Sequence, residues 1–353
     1  MKIPKFIKPG DTIAITAPSF GATIEPYITR FNEAIKIFKE RGYEVIVGKT
    51  CYLSDGVGIS TNPKTAAQEL TDFYLDPKIK AIISCGGGEL MCETISHIDF
   101  YALKQAEPKW FVGYSDNTNF IFPLVTLCET CAIYAQNATG FGKPWERSEQ
   151  DTFEILEGKK NTVFGFEKFQ NPNAQIQDPL SPYILTEQKT LKTFVPDASS
   201  GKNLLQELSD EKDLVMSGII LGGCLDCIVG LSGTRFDGVK NFVTKHKKII
   251  WALESCDLNP MDIRRALWHL KESGWFKNAA GFIFGRPYAA FDAEIFGLNQ
   301  YNAVTGALCD LKVPLVLDAD FGHIDPVFPL VIGADSKIFV RGNDIKIEMG
   351  LTR

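Results

Sequence analysis

A serine, a glutamate and a histidine stand where apolar, strand-like sequence gives way to polar or glycine-containing sequence. Ser115 follows the apolar run in "KWFVGYSDNTNF", Glu254 closes "IIWALES", and His323 lies in "LDADFGHIDPVFP", directly after "VPLVL". A hydroxyl nucleophile needs a base to take its proton and an acid to orient that base, and these residue types can fill those roles. The sequence therefore contains the parts of a serine hydrolase, although local pattern alone does not assign them.

The context of Ser115 supports two interpretations. An apolar strand, a glycine and then a helix start is the setting of a nucleophile elbow, where a strained turn projects the hydroxyl at the carboxyl end of a strand. The chain has Asn117 where the G-x-S-x-G pattern has its last glycine. Serine is also a favoured helix N-cap, and on local evidence alone that structural role is the better prediction.

Two further features leave their roles open. The segment "SCGGGEL" at 84–90 puts three glycines after an apolar strand, without the Lys and Ser/Thr of a P-loop. A phosphate cradle, backbone N–H groups aimed at an oxyanion, and a tight turn are equally good interpretations. Glu254, at the end of its strand, is as well explained by exposure to solvent as by work in a cleft.

The chain has four histidines, and His323 is the best candidate for a catalytic one. The other three lie in helix-like or basic surroundings. The same loop supports a competing hypothesis, in which Asp318, Asp320, His323 and Asp325 bind a hard metal or zinc and activate a water molecule. No second cluster with ligand spacing accompanies them, so a metal-dependent hydrolase ranks below a serine hydrolase.

Two cysteine pairs have CxxC spacing, Cys128/Cys131 in "LVTLCETCAIY" and Cys224/Cys227 in "LGGCLDCIVGL". Four thiolates could hold zinc, but both pairs stand in apolar sequence without the turn residues of a zinc knuckle. Small buried hydrophobic residues are the better interpretation. The total of nine cysteines is odd, which fits reduced thiols rather than a disulfide framework.

Charge and hydropathy exclude several classes of protein. A formal net charge of −6 argues against a nucleic-acid-binding surface, which would require clustered lysine and arginine. Apolar runs of about 18 residues, which a membrane span needs, do not occur in the sequence. The amino terminus does not have the pattern of a signal peptide. We therefore expect a cytoplasmic protein with no nucleic-acid or membrane partner.

Alternating strand and helix patterns predict an α/β fold. In the first part of the chain, "TIAITAPS", "EVIVG", "KAIISCGGG" and "KWFVGY" read as strands, each followed by sequence with helical periodicity or a short connection. This alternation predicts a doubly wound, mostly parallel sheet. We expect an N-terminal nucleophile-bearing domain at 1–145, a connector with short elements at 146–213 and a C-terminal α/β domain at 214–353. The active site would lie in the cleft between the two domains.

The motifs, taken in order, resemble those of the serine LD-carboxypeptidase family, which contains muramoyl-tetrapeptide carboxypeptidases and microcin C self-immunity proteins. The segments that carry the resemblance are "GDTIAITAPS", a glycine pair followed by "HIDF", "FVGYSD", "LGGCLDCIVGLSGT", "WALES", "AGFIFGRP" and "DFGHIDPVFPLVIG". The resemblance covers nearly the whole chain and weakens at about 143–213. The "GHIDP" form and the long connector look more like the immunity-protein branch.

The resemblance implies a Ser–Glu–His triad in that chain order, which falls by motif on Ser115, Glu254 and His323. His323 would take the Ser115 proton, and Glu254 would orient and stabilise the imidazolium. These are the three residues that local sequence had already singled out.

The same resemblance implies an oxyanion hole of backbone N–H groups and a substrate-facing glycine segment. By motif the two donors are those of Gly87 and Asp116, with Gly86 or Gly88 as register alternatives to Gly87. Gly86, Gly88 and Glu89 are expected to contact substrate.

The implied activity is that of a serine peptidase without cofactor or metal, cleaving an amide bond near a free carboxylate through an acyl-enzyme. The expected reaction is LD-carboxypeptidase cleavage of a peptidoglycan tetrapeptide, in peptidoglycan recycling. The alternative within the family is hydrolysis of a peptidyl- or aminoacyl-nucleotide, which confers self-immunity. The resemblance also implies a homodimer.

The chain departs from the family pattern near the glycine segment. Cys85 precedes the glycines where other members often have a different residue, and Gly88-Glu89 replaces a common tyrosine or aspartate. These departures bear on substrate choice rather than on the chemistry. Trp145 is the candidate aromatic for stacking on a nucleotide base.

Overall fold

Two large β-sheets and a hairpin organise the chain in this computed structural model, which describes residues 1–174, 178–197 and 204–352. The strands are β1 (Thr12–Thr16), β2 (Glu44–Val47), β3 (Ile79–Ser84), β4 (Trp110–Gly113), β5 (Ala132–Tyr134), β6 (Thr162–Phe164), β7 (Lys168–Gln170), β8 (Leu185–Gln188), β9 (Lys192–Pro196), β10 (Leu205–Glu207), β11 (Asp213–Cys224), β12 (Ile249–Glu254), β13 (Ala279–Gly285), β14 (Leu315–Ala319), β15 (Leu330–Ile332), β16 (Asp335–Arg341) and β17 (Asp344–Gly350).

Ten α-helices accompany the strands within the described residues. They are α1 (Tyr27–Glu40), α2 (Pro63–Leu75), α3 (Met91–Ile95), α4 (Phe100–Gln105), α5 (Thr118–Thr126), α6 (Arg147–Leu156), α7 (Leu225–Leu231), α8 (Val239–Lys245), α9 (Pro260–Glu272) and α10 (Gln300–Leu308). None of these helices is long and apolar enough to cross a membrane.

The N-terminal sheet has the order β15-β5-β4-β3-β1-β2 and is parallel except for β15. Its strands β2-β1-β3-β4-β5 follow the 2-1-3-4-5 order of doubly wound sheets, in which ligands bind beyond the carboxyl ends of the strands near the β1/β3 switch point. Helix α1 buries Phe31, Ala34 and Phe38 on one face and ends before Gly42, whose φ of +90° suits a helix-terminating glycine.

The second sheet has the order β10-β9-β14-β13-β12-β11-β16-β17-β6. Strands β11 to β14 form a parallel centre, and the strands on both flanks are antiparallel. Gly342 and Asn343 join β16 to β17 as a two-residue hairpin, because Arg341 pairs with Asp344. The α/β fold with a mostly parallel doubly wound sheet and a second α/β domain is confirmed.

The predicted connector is more regular than its sequence suggests. Residues 146–213 include α6 and strands β6 to β10; β9 pairs with β14 and β6 pairs with β17, so both extend the C-terminal sheet. Conversely, β15 of the C-terminal third pairs with β5 and belongs to the N-terminal sheet. The domain limits at 145/146 and 213/214 stay a prediction, and these pairings show that chain segments cross between the two sheets.

Helix α5 lies between the two halves and is buried along its whole length. It contacts β4 and β5 on one side and β11 and α7 on the other. Its Phe122 ring stacks on Trp275, with centroids 5.1 Å apart and an interplanar angle of 8°. Because α5 is mostly apolar and is buried against elements of both halves, it fixes their relative position.

Candidate active site

Ser115 occupies a strained turn between β4 and α5. Its φ of +63° lies in the left-handed region, which a residue with a side chain rarely adopts and which recurs at functional turns. The turn residues Ser115–Asn117 form a short 3₁₀ helix, and neither this turn nor α5 has a side-chain N-cap bond. The interpretation of Ser115 as a helix N-cap is therefore wrong, and the geometry is that of a nucleophile elbow.

The three residues that the sequence singled out form one hydrogen-bonded chain. Ser115 Oγ lies 2.9 Å from His323 Nε2, and His323 Nδ1 lies 2.7 Å from Glu254 Oε2. Glu254 is the last residue of β12 and its side chain is fully buried, whereas the His323 side chain is 12% exposed. Gly322 makes this approach possible, since a Cβ at Gly322 would lie 2.7 Å from Glu254 Oε2.

The environment of His323 favours its charged form. Burial lowers the pKa of the imidazole, but the Glu254 carboxylate and the Cys256 thiol outweigh burial and hold this pKa well above its ordinary value. An imidazole that is stabilised when protonated can accept a proton from a serine hydroxyl. This is the property required of a general base in acyl transfer.

Tyr134, which sequence reasoning missed, joins the acid to the nucleophile turn. Its hydroxyl donates to Glu254 Oε1 at 2.5 Å and accepts from the Ser115 backbone N–H at 3.1 Å. The side chain is buried at the carboxyl end of β5, where burial and Glu254 raise the pKa of the phenol well above its usual value. Tyr134 therefore stays neutral and holds both Glu254 and Ser115.

Asn117 explains the departure from G-x-S-x-G. Its Nδ2 donates to Gly86 O at 2.9 Å and to Asn137 Oδ1 at 3.1 Å, so the side chain joins the nucleophile turn to the glycine segment. A Cβ at Gly113 would come within 3.0 Å of Asn117, which accounts for the glycine at that position. Asn117, which stands in place of the last glycine of G-x-S-x-G, thus uses its side chain to bind the glycine segment.

The two residues predicted to donate to an oxyanion flank Ser115. A Cβ at Gly87 would lie 3.2 Å from Ser115 Oγ, so the Gly87 backbone directly faces the nucleophile. Asp116 follows Ser115, and its buried carboxylate accepts from Ser19 Oγ, from the Met91 N–H at 2.8 Å and from Asn119 Nδ2 at 2.7 Å. Burial raises the pKa of Asp116, although these donors oppose the shift. Their role as an oxyanion hole stays a prediction.

A cleft of about 400 Å³ opens in front of Ser115 and His323. Gly86, Gly88 and Glu89 lie in its wall, and their contact with substrate stays a prediction. The rest of its described wall is formed by Phe20, Gly21, Ala22, Ile24, Tyr27, Gly58, Gly87, Tyr114, Asn137, Thr139 and Cys256. The described wall contains no lysine or arginine. Burial, followed by the charges of Asp257, Asp116 and Asp226, raises the pKa of Glu89.

A smaller pocket of about 170 Å³ adjoins the cleft, since both are lined by Gly88, Glu89, Ser115 and Cys256. Three further cysteines, Cys92, Cys224 and Cys227, also line this second pocket.

The metal-site alternative is wrong, because its four side chains have separate partners. Asp318 accepts from Gln300 and Tyr301, and Asp320 accepts from Arg286 at 2.7 Å. His323 belongs to the chain with Ser115 and Glu254, and the charges nearest Asp325 include Lys143 and Arg30. Among the described residues no group of His, Cys, Asp or Glu could hold a metal ion, which also removes support from zinc at the CxxC pairs.

The prediction that Trp145 stacks on a nucleotide base is not supported. Trp145 packs against Phe141 and Phe153, and the Arg41 guanidinium lies 3.9 Å from its ring centroid. It is absent from the described wall of the cleft.

Comparison with known proteins supports the same family that the motifs suggested. The LD-carboxypeptidase N-terminal domain model matches residues 13–135, and the LD-carboxypeptidase C-terminal domain model matches residues 217–338. A putative carboxypeptidase of Vibrio cholerae is 24% identical, with 99% of this chain and 98% of that protein covered. The microcin C7 self-immunity protein MccF of Escherichia coli is 23% identical, with 96% and 93% covered.

Solved structures show the same fold. An MccF-like protein from Bacillus anthracis superposes with a TM-score of 0.79 at 21% identity, covering 99% of this chain and 100% of that one. The muramoyltetrapeptide carboxypeptidase of Oxalobacter formigenes has a TM-score of 0.69 at 20% identity, covering 96% and 98%. With the family models matching one segment in each half of the fold, the chain belongs to the LD-carboxypeptidase family, peptidase family S66.

Proposed function

We propose that this protein is a serine hydrolase that cleaves an amide bond through an acyl-enzyme, with Ser115 as nucleophile, His323 as general base and Glu254 as the acid that orients His323. The observation that carries the proposal is the continuous hydrogen-bond chain from Ser115 Oγ through the imidazole to Glu254. Its members come from opposite halves of the fold, and two of them, Ser115 and His323, lie in the wall of a cleft large enough for a peptide end.

The proposed reaction uses each group in turn. His323 Nε2 takes the Ser115 proton as Oγ attacks the scissile carbonyl, and Glu254 stabilises the imidazolium that forms. The Gly87 and Asp116 N–H groups bind the oxyanion; the Ser115 N–H is engaged by Tyr134 and does not compete for that role. The imidazolium then protonates the leaving amine, and a water molecule activated by neutral His323 releases the acyl group.

The first candidate substrate is a muramoyl tetrapeptide, from which LD-carboxypeptidase activity would release the terminal D-alanine. The family description and the muramoyltetrapeptide carboxypeptidase neighbour support this choice. Peptidoglycan recycling in the cytoplasm would be the corresponding role. The homodimer implied by the sequence resemblance remains part of this proposal.

A second candidate is hydrolysis of a peptidyl- or aminoacyl-nucleotide, as in self-immunity. The MccF structures superpose with TM-scores of 0.78 and 0.79, above the 0.69 of the carboxypeptidase neighbour, and one holds aspartyl sulfamoyl adenosine. The cleft also has an apolar side formed by Phe20, Ile24 and Tyr27, where a flat aromatic group could pack.

The deciding experiment measures D-alanine release from a muramoyl tetrapeptide beside hydrolysis of an aminoacyl-sulfamoyl adenosine. The wild type, Ser115→Ala and His323→Ala are assayed with and without a chelator. Ser96→Ala and His97→Ala, two exposed residues outside the cleft, are matched controls. We expect each active-site variant to lose at least about a thousandfold in kcat, while chelator and the control variants have little effect.

The outcomes separate mechanism from substrate. Activity that survives in Ser115→Ala would overturn the serine mechanism. A wild type that turns over only the sulfamoyl adenosine would replace the first substrate by the second. If a fluorophosphonate labels Ser115 but neither substrate is cleaved, the mechanism stands and both substrate assignments are wrong.

A further inference from the structure

Two cysteines that the proposed mechanism does not use lie against the nucleophile turn. Cys224 ends β11 and Cys227 follows three residues later, in the first turn of α7, and both line the pocket beside the cleft. Cys224 Sγ donates to Asp226 Oδ2 at 3.4 Å. Cys227 Sγ lies 3.7 Å from the Ser115 carbonyl oxygen and 3.9 Å from Asp116 Oδ1. We propose that Cys224 and Cys227 are a redox-active dithiol, which small disulfides oxidise to an intrachain disulfide that lowers the reactivity of Ser115.

CxxC spacing combined with access to one pocket distinguishes this pair, since Cys92 and Cys256 line the same pocket without a CxxC partner. Cys227 is only partly buried and lines the pocket beside the cleft, so a small disulfide can reach it, whereas Cys224 is 2% exposed and acts second. Cys51 and Cys85, by contrast, are fully buried, and Cys51 Sγ donates to Ile15 O at 3.4 Å.

The second CxxC pair is a matched control within the chain. Cys128 Sγ donates to Phe100 O at 3.1 Å. Cys131 Sγ faces Gly333, since a Cβ there would lie 3.2 Å from this sulfur. Both side chains are fully buried. Identical spacing thus leaves these thiols directed at different partners and inaccessible, so the spacing itself is not what makes Cys224 and Cys227 reactive.

The oxidation is balanced with a disulfide RSSR as the oxidant. The Cys227 thiolate attacks one sulfur of RSSR, a mixed disulfide forms, and RS⁻ leaves and takes up the proton that Cys227 lost. The Cys224 thiolate then attacks the Cys227 sulfur and expels the second RS⁻, which takes the Cys224 proton. In total the protein dithiol loses two electrons and two protons, and RSSR becomes two molecules of RSH.

The acidic surroundings set the expected behaviour of the pair. The neighbouring Cys224 thiol lowers the pKa of Cys227, but burial and the nearby Asp116 and Asp226 carboxylates leave that pKa raised. The thiolate fraction is therefore small at neutral pH, so oxidation is slow and accelerates as pH rises. Thiols of high pKa are poor leaving groups, so the disulfide, once formed, resists reduction.

Oxidation would act on Ser115 through lost contacts. The disulfide removes the Cys227 S–H, and with it the donor to the Ser115 carbonyl and to Asp116 Oδ1. Ser115 is already in a strained conformation, and its turn must keep Oγ within reach of His323. A displacement of about 1 Å at such a position can cost a hundredfold in rate.

The test incubates reduced protein with oxidised glutathione at pH 7 and pH 9, and maps linked peptides by mass spectrometry. Labelling of Ser115 by a fluorophosphonate is measured before oxidation, after it and after dithiothreitol. The effect on Ser115 rests on the proposed function, whereas the linked peptide is detected independently of it. The variants are Cys224→Ser and Cys227→Ser, with Cys128→Ser/Cys131→Ser as the matched control, each compared with its own reduced state.

We expect a Cys224–Cys227 peptide in the wild type and in the control variant, forming faster at pH 9. Ser115 labelling should fall at least about tenfold as linkage proceeds, and dithiothreitol should restore it. Cys224→Ser should form only a mixed disulfide. Linkage to a different cysteine, the absence of linkage, or linkage without a change in labelling would overturn the proposal. A reduced wild type whose Ser115 cannot be labelled would instead count against the proposed function.

Discussion

Replacing Tyr134 by phenylalanine tests whether one hydroxyl supports both the acid and the nucleophile. The variant keeps the ring in the core but removes the donor to Glu254 Oε1 and the acceptor of the Ser115 N–H. Glu254 is buried, so water cannot replace the lost donor at low cost. We expect Tyr134→Phe to fold, to be less stable and to be a poorer catalyst.

The magnitude follows from the kind of bond. A hydrogen bond to a charged group contributes about 1.5–3 kcal/mol, so the free energy of unfolding should fall by that amount. If half of this energy is also expressed in the transition state, kcat/KM falls by a factor between about 4 and about 13. A carboxylate with one donor fewer binds the imidazolium more strongly, which raises the pKa of His323, so the acid-side limb on which kcat/KM rises with pH should move to higher pH.

The chain provides a matched control at Tyr43, whose hydroxyl donates to Glu157 Oε1 at the same 2.5 Å. Tyr43 is 3% exposed and is not part of the described cleft wall. Tyr43→Phe should lose stability and keep its pH profile. Denaturant unfolding and pH-dependent kinetics of both variants give the comparison. If Tyr134→Phe loses as much stability as Tyr43→Phe, but its kcat/KM and the pH dependence of kcat/KM are those of the wild type, Tyr134 has only a structural role.

Three further predictions concern the same cleft. Because Glu254 holds the pKa of His323 well above its ordinary value, kcat/KM should rise with pH, with a midpoint above about pH 6.5. The free energy of unfolding that the His323–Glu254 pair contributes is fully present below about pH 6.5 and is lost as the pH rises through the raised pKa of His323. A limb at or below pH 6.5 would contradict this. Gly87→Ala puts a Cβ 3.2 Å from Ser115 Oγ, so kcat should fall about a hundredfold or less with little change in unfolding free energy; an unchanged kcat would show that Gly87 does not face the reacting hydroxyl. Glu89→Gln should raise kcat/KM several-fold for substrates that end in a free carboxylate, since a negative charge leaves the cleft wall; an equal gain with the corresponding carboxamide substrate would refute the charge argument.

The three triad residues could be predicted because periodicity locates the ends of strands. Ser115, Glu254 and His323 all follow apolar strands, and parallel strands bring their carboxyl ends to one edge of a sheet. What periodicity cannot show is that the two edges face each other. That arrangement depends on α5 filling the space between the halves, which is a property of tertiary packing.

Tyr134 is a residue whose role local sequence patterns do not predict. In "CAIYAQN" a tyrosine closes an apolar strand, and a buried phenol hydroxyl needs a partner. Its partners were not predictable, because they depend on the register that pairs Gly113 with Tyr134 and on the approach of Glu254 from the other half of the fold. Sequence could indicate that a partner exists, and only the structure identifies it.

The errors have the same physical origin. Asp320 looked like a metal ligand because its counter-ions, Arg286 and Lys189, are distant in sequence and invisible to a local pattern. Trp145 was the candidate aromatic for stacking on a base, yet Phe38 and the Arg41 guanidinium, both distant in sequence, pack against its ring. In both cases the side chain is held by contacts with residues that are distant in sequence.

The loop that carries His323 begins in one sheet and ends in the other. It leaves β14 of the C-terminal sheet, is held at Asp320 by the Arg286 guanidinium and enters β15, which pairs with β5 in the N-terminal sheet. Tyr134, which binds Glu254, lies on β5, and the loop that carries His323 leads into β15. Both residues are therefore connected to the β15–β5 pair of strands. The β15–β5 pairing therefore ties the loop that carries His323 to the sheet in which β4 precedes Ser115. The hydrogen-bond chain between the halves is thus protected by main-chain pairing as well as by the burial of α5.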